Sequence, residues 1–208
     1  MIVLPSRGRP DSLLEFFAVS RPVERGVVLI EADQYDAYKS IPLPKNWHSV
    51  IGTHRQGYVA LLNRALALFP DEPWYAYMGD DVRCRPEGWD TALAHSAGRD
   101  AIAYGDDGIN GERTCGLPFI GGDLVRRIGW LGYPKLQHLY CDTIWYEIGK
   151  ALGLLRYHPE IVTEHLHWST GKMAKDQTAN ERQTAGDREA YTDFMLNHFA
   201  EAVRPCLV

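Results

Sequence analysis

Short apolar runs punctuate the first half of the chain, and nearly all of them break off in polar or acidic residues. Ile2-Val3-Leu4 leads into Pro5-Ser6-Arg7-Gly8-Arg9-Pro10, and Val27-Val28-Leu29-Ile30 leads into Glu31-Ala32-Asp33. Trp74-Tyr75-Ala76-Tyr77-Met78 runs into Gly79-Asp80-Asp81, and Ala101-Ile102-Ala103-Tyr104 into Gly105-Asp106-Asp107-Gly108, while Ser49-Val50-Ile51 is a further run of the same kind. Short apolar runs separated by amphipathic segments read as strands separated by helices. Between Ser49-Val50-Ile51 and the run that starts at Trp74, Tyr58, Leu61, Leu62, Ala65, Leu66 and Phe69 recur at helical spacing and Pro70 closes the segment. Alternating strands and helices predict an α/β fold with a mostly parallel central sheet. Ligands of such sheets bind outside the carboxyl ends of the strands, which is where the polar tails fall.

The second half is less regular. Glycine-rich turns at Gly121-Gly122 and around Gly129 to Gly132 precede a helix expected from about Asp142 to Leu152, carrying Ile144, Trp145, Ile148 and Leu152. This half is expected to be appended to the sheet within a single domain spanning 1–208. Residues 169–186 are polar and read as a mobile loop or weak helix, with Lys172, Lys175 and Arg182 either a solvated charge run or able to close over a diphosphate. An apolar stripe of Ala190, Tyr191, Phe194, Met195, His198, Phe199 and Ala202 predicts a C-terminal helix over 187–204.

A 208-residue chain that is 45% hydrophobic can bury one sizeable core, and its net charge of −5 argues against a broad basic footprint for nucleic acid or anionic membrane. No stretch approaches the ~20 apolar residues that span a bilayer, so no membrane insertion is expected and the cytoplasm is the expected compartment. Cys84, Cys115, Cys141 and Cys206 are scattered and form no CxxC pair, which points to reduced thiols rather than a zinc ribbon or redox motif.

Adjacent carboxylates at Asp80-Asp81 can divide their work between a hard divalent cation and a ribose hydroxyl, or can simply mark a turn. His165 and His167 follow Ile161-Val162-Thr163, and alternate residues of an extended strand face the same way, so both imidazoles can reach one site. Imidazole among carboxylate and phosphate oxygens favours Mn²⁺ over Mg²⁺. Asp142 opens the second-half helix and reads either as its N-cap or as a carboxylate base for an acceptor hydroxyl. Arg7 and Arg9 are candidates for nucleotide or phosphate contact. Arg126, Arg127, Lys135 and Lys150 form a modest basic cluster that reads equally as a solvated face or as a grip on a DNA acceptor. Trp47, Trp89, Trp130 and Trp168 would be the stacking platforms if the chain were a non-catalytic carbohydrate-binding module. The Asp80, Asp81, His165 and His167 set would equally serve a metal-dependent phosphohydrolase or nucleotidyltransferase.

Taken in order, these segments resemble the GT-A glycosyltransferases, especially small family-2-like members from bacteria and phages. IVLPSRGRP is similar to the opening strand and nucleotide-binding loop of that family, VVLIEAD to its second strand, GYVALLNRAL to a segment beside the donor, and YMGDD to its metal-binding element. The resemblance covers roughly residues 1 to 168 and implies a Rossmann-like central mixed sheet flanked by helices. It places the nucleotide sugar in 1–110, with donor contacts from Pro5, Ser6, Arg7, Arg9, Glu31, Asp33, Asn63, Asp80 and Lys172. It places the acceptor and catalysis in 111–168, with Asp107, Gly121, Gly122 and Asp123 on the acceptor side, Asp142 as catalytic base, and Asp81 with His165 or His167 holding Mn²⁺ or Mg²⁺. The implied reaction moves a sugar, glucose from UDP-glucose being the first candidate, with inversion onto a hydroxyl of a glycan or of a hydroxymethylated base in phage DNA. The sequence departs from the family in having Asp80-Asp81-Val82 rather than Asp-x-Asp, and Cys141-Asp142 in place of a paired acid.

Overall fold

The computed structural model describes residues 1–53, 56–166, 171–172 and 184–207. The chain forms β1 (Ile2–Pro5), β2 (Gly26–Ile30), β3 (Trp47–Ile51), β4 (Trp74–Tyr77), β5 (Val82–Arg85), β6 (Ile102–Asp106), β7 (Phe119–Gly121) and β8 (Leu155–His165). These make one eight-stranded sheet in the order β3-β2-β1-β4-β7-β6-β8-β5. The helices are α1 (Pro10–Ser20), α2 (Tyr35–Tyr38), α3 (Tyr58–Leu68), α4 (Trp89–Ala97), α5 (Gly122–Ile128), α6 (Cys141–Leu152), α7 (Asp187–Asp193) and α8 (Phe199–Val203), with a π-helical turn at Phe194–His198 joining the last two. Each apolar run expected to be a strand is one.

Successive strand residues alternate between two buried layers. Val3, Val27, Leu29, Tyr75, Tyr77, Ile102 and Tyr104 pack with residues of α3, α5, α6 and the C-terminal helices. Ile2, Leu4, Val28, Ile30, Ala76, Met78 and Ala103 face the opposite way, onto residues of α1 and α4. Both faces of β1, β2, β4 and β6 are buried, so those runs had to be apolar without interruption; each fully buried aliphatic side chain contributes about 2 kcal/mol.

The sheet is mixed, as the resemblance implied, with most strands running parallel: β7 is antiparallel to β4 and β6, and β5 is antiparallel to β8. One expectation is corrected. The second half is not appended, because β7 is threaded between β4 and β6, with Ala76 and Ala103 both opposite Phe119. Since β7 opposes both neighbours, β4 and β6 point the same way, as do β1, β2, β3 and β8 by their parallel pairings. One edge of the sheet therefore collects the residues after β1, β2, β4, β6 and β8.

β8 departs from β6 at a register shift, where the pairing Gly105 to His158 is followed by Asp106 to Val162. Gly105 is required there, since a Cβ would come within 2.3 Å of the Ile161 carbonyl oxygen. Beyond the shift β8 pairs with β5 and sets His165 opposite Val82, beside the aspartate pair.

Candidate active site

The chain bends sharply after β1 and β4, and the two bends are tied together. The Arg9 N–H donates to Tyr38 Oη at 3.0 Å, Tyr38 Oη lies 2.8 Å from Ser6 Oγ, and Ser6 donates to Asp80 Oδ2 at 2.5 Å. With the Ser6 proton spent on Asp80, the tyrosine donates to the serine. The Asp80 carbonyl accepts from Ser12 Oγ at 2.9 Å and from the buried Arg83 at 2.9 Å. Asp80 is thus held from both its side chain and its backbone, while Asp81 turns outward. Asp81 Oδ2 lies 2.8 Å from Arg9 Nη1, and Asp81 Oδ1 lies 3.5 Å from His165 Nε2.

The two neighbours part electrostatically. Burial, then the adjacent charge of Asp81, pushes Asp80 up to about 7 against the pull of Ser6 and Arg9. Burial would raise Asp81 as well, but the hydrogen bond and charge of His165, with those of Arg9, hold it at about 2. Burial disfavours the charged imidazole of His165, yet Asp81 first, then Asp107 and Asp142, outweigh it and raise its pKa.

Asp142 reaches the same edge because α6 runs back along the sheet. The far half of that helix, at Gly149, abuts Leu155 and Ile102 at the starts of β8 and β6, so its N-terminus returns to their ends. Asp142 is not the N-cap. Tyr140 holds that position in a left-handed conformation, φ 68°, and Asp142 lies in the first turn with Oδ1 accepting from the Thr143 N–H at 2.8 Å. Burial leads in raising its pKa, opposed by those Thr143 hydrogen bonds. The Cys115 thiol donates to the Asp142 carbonyl at 3.2 Å.

The loop entering α6 hangs on a residue with no sequence signal. Asp187, fully buried, accepts the N–H groups of Gln137, His138 and Leu139 at 2.6, 3.0 and 2.7 Å. Tyr191 of α7 stacks on Tyr140 at 4.8 Å. Tyr38, Ser12, Arg83 and Asp187 were all missed from sequence, since a hydroxyl, an arginine or an aspartate on a helix or strand carries no mark of a partner so distant along the chain.

Other expected site residues divide. Pro5, Arg7, Glu31 and Asp33 lie on the carboxyl edge, but Arg7 forks onto Asp33 at 2.9 and 2.7 Å and onto Glu31 at 2.7 Å. The other oxygen of Glu31 takes the N–H groups of Gln56 and Gly57 ahead of α3. Asp107 is also on this edge, its carbonyl accepting from the His165 N–H at 3.4 Å, yet its carboxylate is consumed by Ile109, Asn110 and Gly111. Lys172 pairs with Glu164 at 2.9 Å. His167, Trp168, Lys175 and Arg182 lie outside the described residues.

Several assignments are corrected. Asn63 does not face a donor: its amide clamps the loop ahead of α6, donating to the Gly132 carbonyl and accepting from the N–H groups of Leu131 and Gly132. Gly121, Gly122 and Asp123 lie at the opposite edge of the sheet, because antiparallel β7 ends beside Trp74 at the start of β4. There the Gly122 N–H donates to the Pro73 carbonyl and Asp123 pairs with Arg99 and Arg126. Arg126 goes with them, bound to the carbonyls of Pro70 and Glu72, while Lys135, in the loop ahead of α6, is paired with Asp193. Trp47 and Trp89 are buried and Trp130 packs on Trp145 and Phe194, so none of the three is a stacking platform.

No group of three or more His, Cys, Asp or Glu side chains among the described residues could by itself hold a metal. Asp81 and His165 do converge, and two such donors suit a divalent cation whose remaining ligands are phosphate oxygens of a bound nucleotide. No helix among the described residues is long and apolar enough to cross a membrane.

No protein-family model matches the chain, and no curated protein matches it in sequence. Solved structures do match in fold. Residues 1–349 of TarS from S. aureus, in complex with UDP-GlcNAc, superpose with a TM-score of 0.59 at 12% identity, over 97% of this chain and 71% of that one. A second structure of S. aureus TarS gives a TM-score of 0.53 at 13% identity, over 79% of this chain and 36% of that one, so the chain spans little more than a third of its length. The mixed sheet with helices on both faces is thus the Rossmann-like GT-A fold that the sequence resemblance implied.

Proposed function

We propose that the chain transfers a sugar from a nucleotide diphosphate donor to a hydroxyl acceptor with inversion, Asp142 acting as base. The observation carrying this reading is the convergence of Asp80, Asp81, His165 and Asp142 on the carboxyl edge of a GT-A-like sheet, with His165 feeling the charge of both Asp81 and Asp142. The Ser6 and Asp80 side of the cleft receives the nucleoside, where a carboxylate and a hydroxyl can meet ribose hydroxyls. Asp81 and His165 would hold Mn²⁺ or Mg²⁺, which when bound supplies positive charge to the departing diphosphate. Asp142 accepts the acceptor's proton: it sits rigidly in the first turn of a helix, and burial lifts its proton affinity toward what a base working near neutrality needs. The UDP-GlcNAc in the TarS complex makes UDP sugars the first donors to try, UDP-glucose and UDP-GlcNAc together. A glycan acceptor is favoured over a hydroxymethylated base in DNA, because the basic residues that would grip a duplex lie at the far edge of the sheet or are internally paired.

The test is release of nucleoside diphosphate from a panel of nucleotide sugars, with Mn²⁺ or with EDTA, for the wild type, Asp81→Ala and Asp142→Asn. Release from one donor, dependent on the ion and lost in Asp81→Ala, is the expected result. Release that ignores every acceptor and survives Asp142→Asn would point to a phosphohydrolase instead.

A further inference from the structure

Arg9, expected on the phosphates of a donor, lies instead on the aspartate pair, with Nη1 2.8 Å from Asp81 Oδ2 and 3.6 Å from Asp80 Oδ1. His165 faces the remaining oxygen of Asp81, so both oxygens of the carboxylate best placed for a metal already meet nitrogen. The Arg9 backbone is fixed, its N–H on Tyr38 Oη and its carbonyl accepting from the Leu13 N–H in the first turn of α1. Its guanidinium is carried on a long side chain at the mouth of the cleft, 12% exposed. A guanidinium and a divalent cation cannot share one carboxylate oxygen, since like charges a few ångströms apart repel strongly in a partly enclosed site.

We propose that Arg9 is the resident cation of the Asp80–Asp81 pair, that a divalent ion enters by displacing it, and that the released guanidinium passes to the phosphates of the nucleotide. The last step rests on the nucleotide-sugar reading; the displacement does not. The exchange makes metal and nucleotide bind cooperatively. Nucleotide offers Arg9 another anion and metal offers Asp81 another cation, so each ligand removes an obstacle to the other.

Mn²⁺ binding, followed by the electron paramagnetic resonance of the free ion, tests this in the wild type, Arg9→Gln, Arg9→Lys and Arg9→Gln/Asp81→Asn, with and without UDP. Without UDP, Arg9→Gln should bind Mn²⁺ at least about tenfold more tightly than the wild type, because the competing charge is gone. Arg9→Lys, which keeps the charge, should stay close to wild type, and the added Asp81→Asn should abolish the gain. UDP should tighten Mn²⁺ binding by a larger factor in the wild type than in Arg9→Gln. Unchanged or weaker Mn²⁺ binding in Arg9→Gln, or no binding in either protein, overturns the displacement while leaving any UDP binding, and with it the donor reading, intact. Tighter Mn²⁺ binding in Arg9→Gln with no UDP binding to any form supports the displacement and overturns the nucleotide step. Arg9→Met preserves the aliphatic stem and replaces the Gln variant should thermal melts show that the latter is unfolded.

Discussion

Asp80 and Asp81 are adjacent, yet they differ in proton affinity because one is enclosed against Ser6 while the other faces Arg9 and His165. An unfolded aspartate titrates near 4, so between about pH 4 and about 7 the native protein retains a proton on Asp80 that the unfolded chain has released. The native state binds more protons over that window, and stability falls as the pH rises through it. Asp81 is shifted the other way: its contribution is present above about pH 4 and lost as the pH falls toward 2, outside the Asp80 window. The melting temperature of the wild type relative to Asp80→Asn should therefore decline from about pH 4 to about 7; a flat difference would show that Asp80 ionises normally. Asp142 yields a kinetic prediction. As a base it must be ionised, and burial raises its pKa, so the acid limb of kcat should lie above the ordinary carboxylate value of about 4. Asp142→Asn should lower kcat by about 10²–10⁴ and erase that limb. A limb that persists in the variant would belong to another group.

At the scale of elements, the base is positioned from far along the chain. The three N–H groups ahead of α6 converge on the carboxylate of Asp187 at the start of α7, and Tyr140 is held in its left-handed conformation against Tyr191. Hydrogen bonds to a buried charge contribute about 1.5–3 kcal/mol each, and orphaned buried donors carry a further cost. Asp187→Ala should then lower the unfolding free energy by about 3–5 kcal/mol in urea titrations. Its kcat should fall with little change in donor KM, since Ser6 and Asp80 are held by bonds to Tyr38, Ser12 and Arg83 on other elements. Asp187→Asn should recover only part, because its amide N–H₂ would oppose some of the backbone donors it must accept from. A KM effect as large as the kcat effect would contradict a role confined to the base. The helices α3 and α6 were legible from apolar spacing alone. The strands β5 and β7 were not, since four and three residues show no period and their pairing is non-local.

For the whole molecule, both ligand sites proposed here span several strand ends, so donor and metal bind only the folded chain. A ligand at a hundredfold excess over Kd stabilises by about 2.7 kcal/mol, which for a chain of this size raises Tm by roughly 5–10 °C. UDP sugar with Mn²⁺ should produce that rise in the wild type and much less in Asp81→Ala, read by scanning fluorimetry; equal shifts would place the ligands elsewhere. The strand runs, the polar tails that close them and the periodic helices are legible in the residues alone. These follow from local chemistry: a strand covered on both faces must be continuously apolar, and the chain turns where polarity returns. Which tails meet is set by the order and direction of the strands in the sheet. Antiparallel β7 carried Gly121, Gly122 and Asp123 to the wrong edge, and the bend of β8 brought His165 to Asp81. Arg9 meets Asp81 across 72 residues, Asn63 meets Gly132 across 69, and Asp187 meets Gln137 across 50. Such partners are chosen by strand order and packing, and no local pattern encodes strand order.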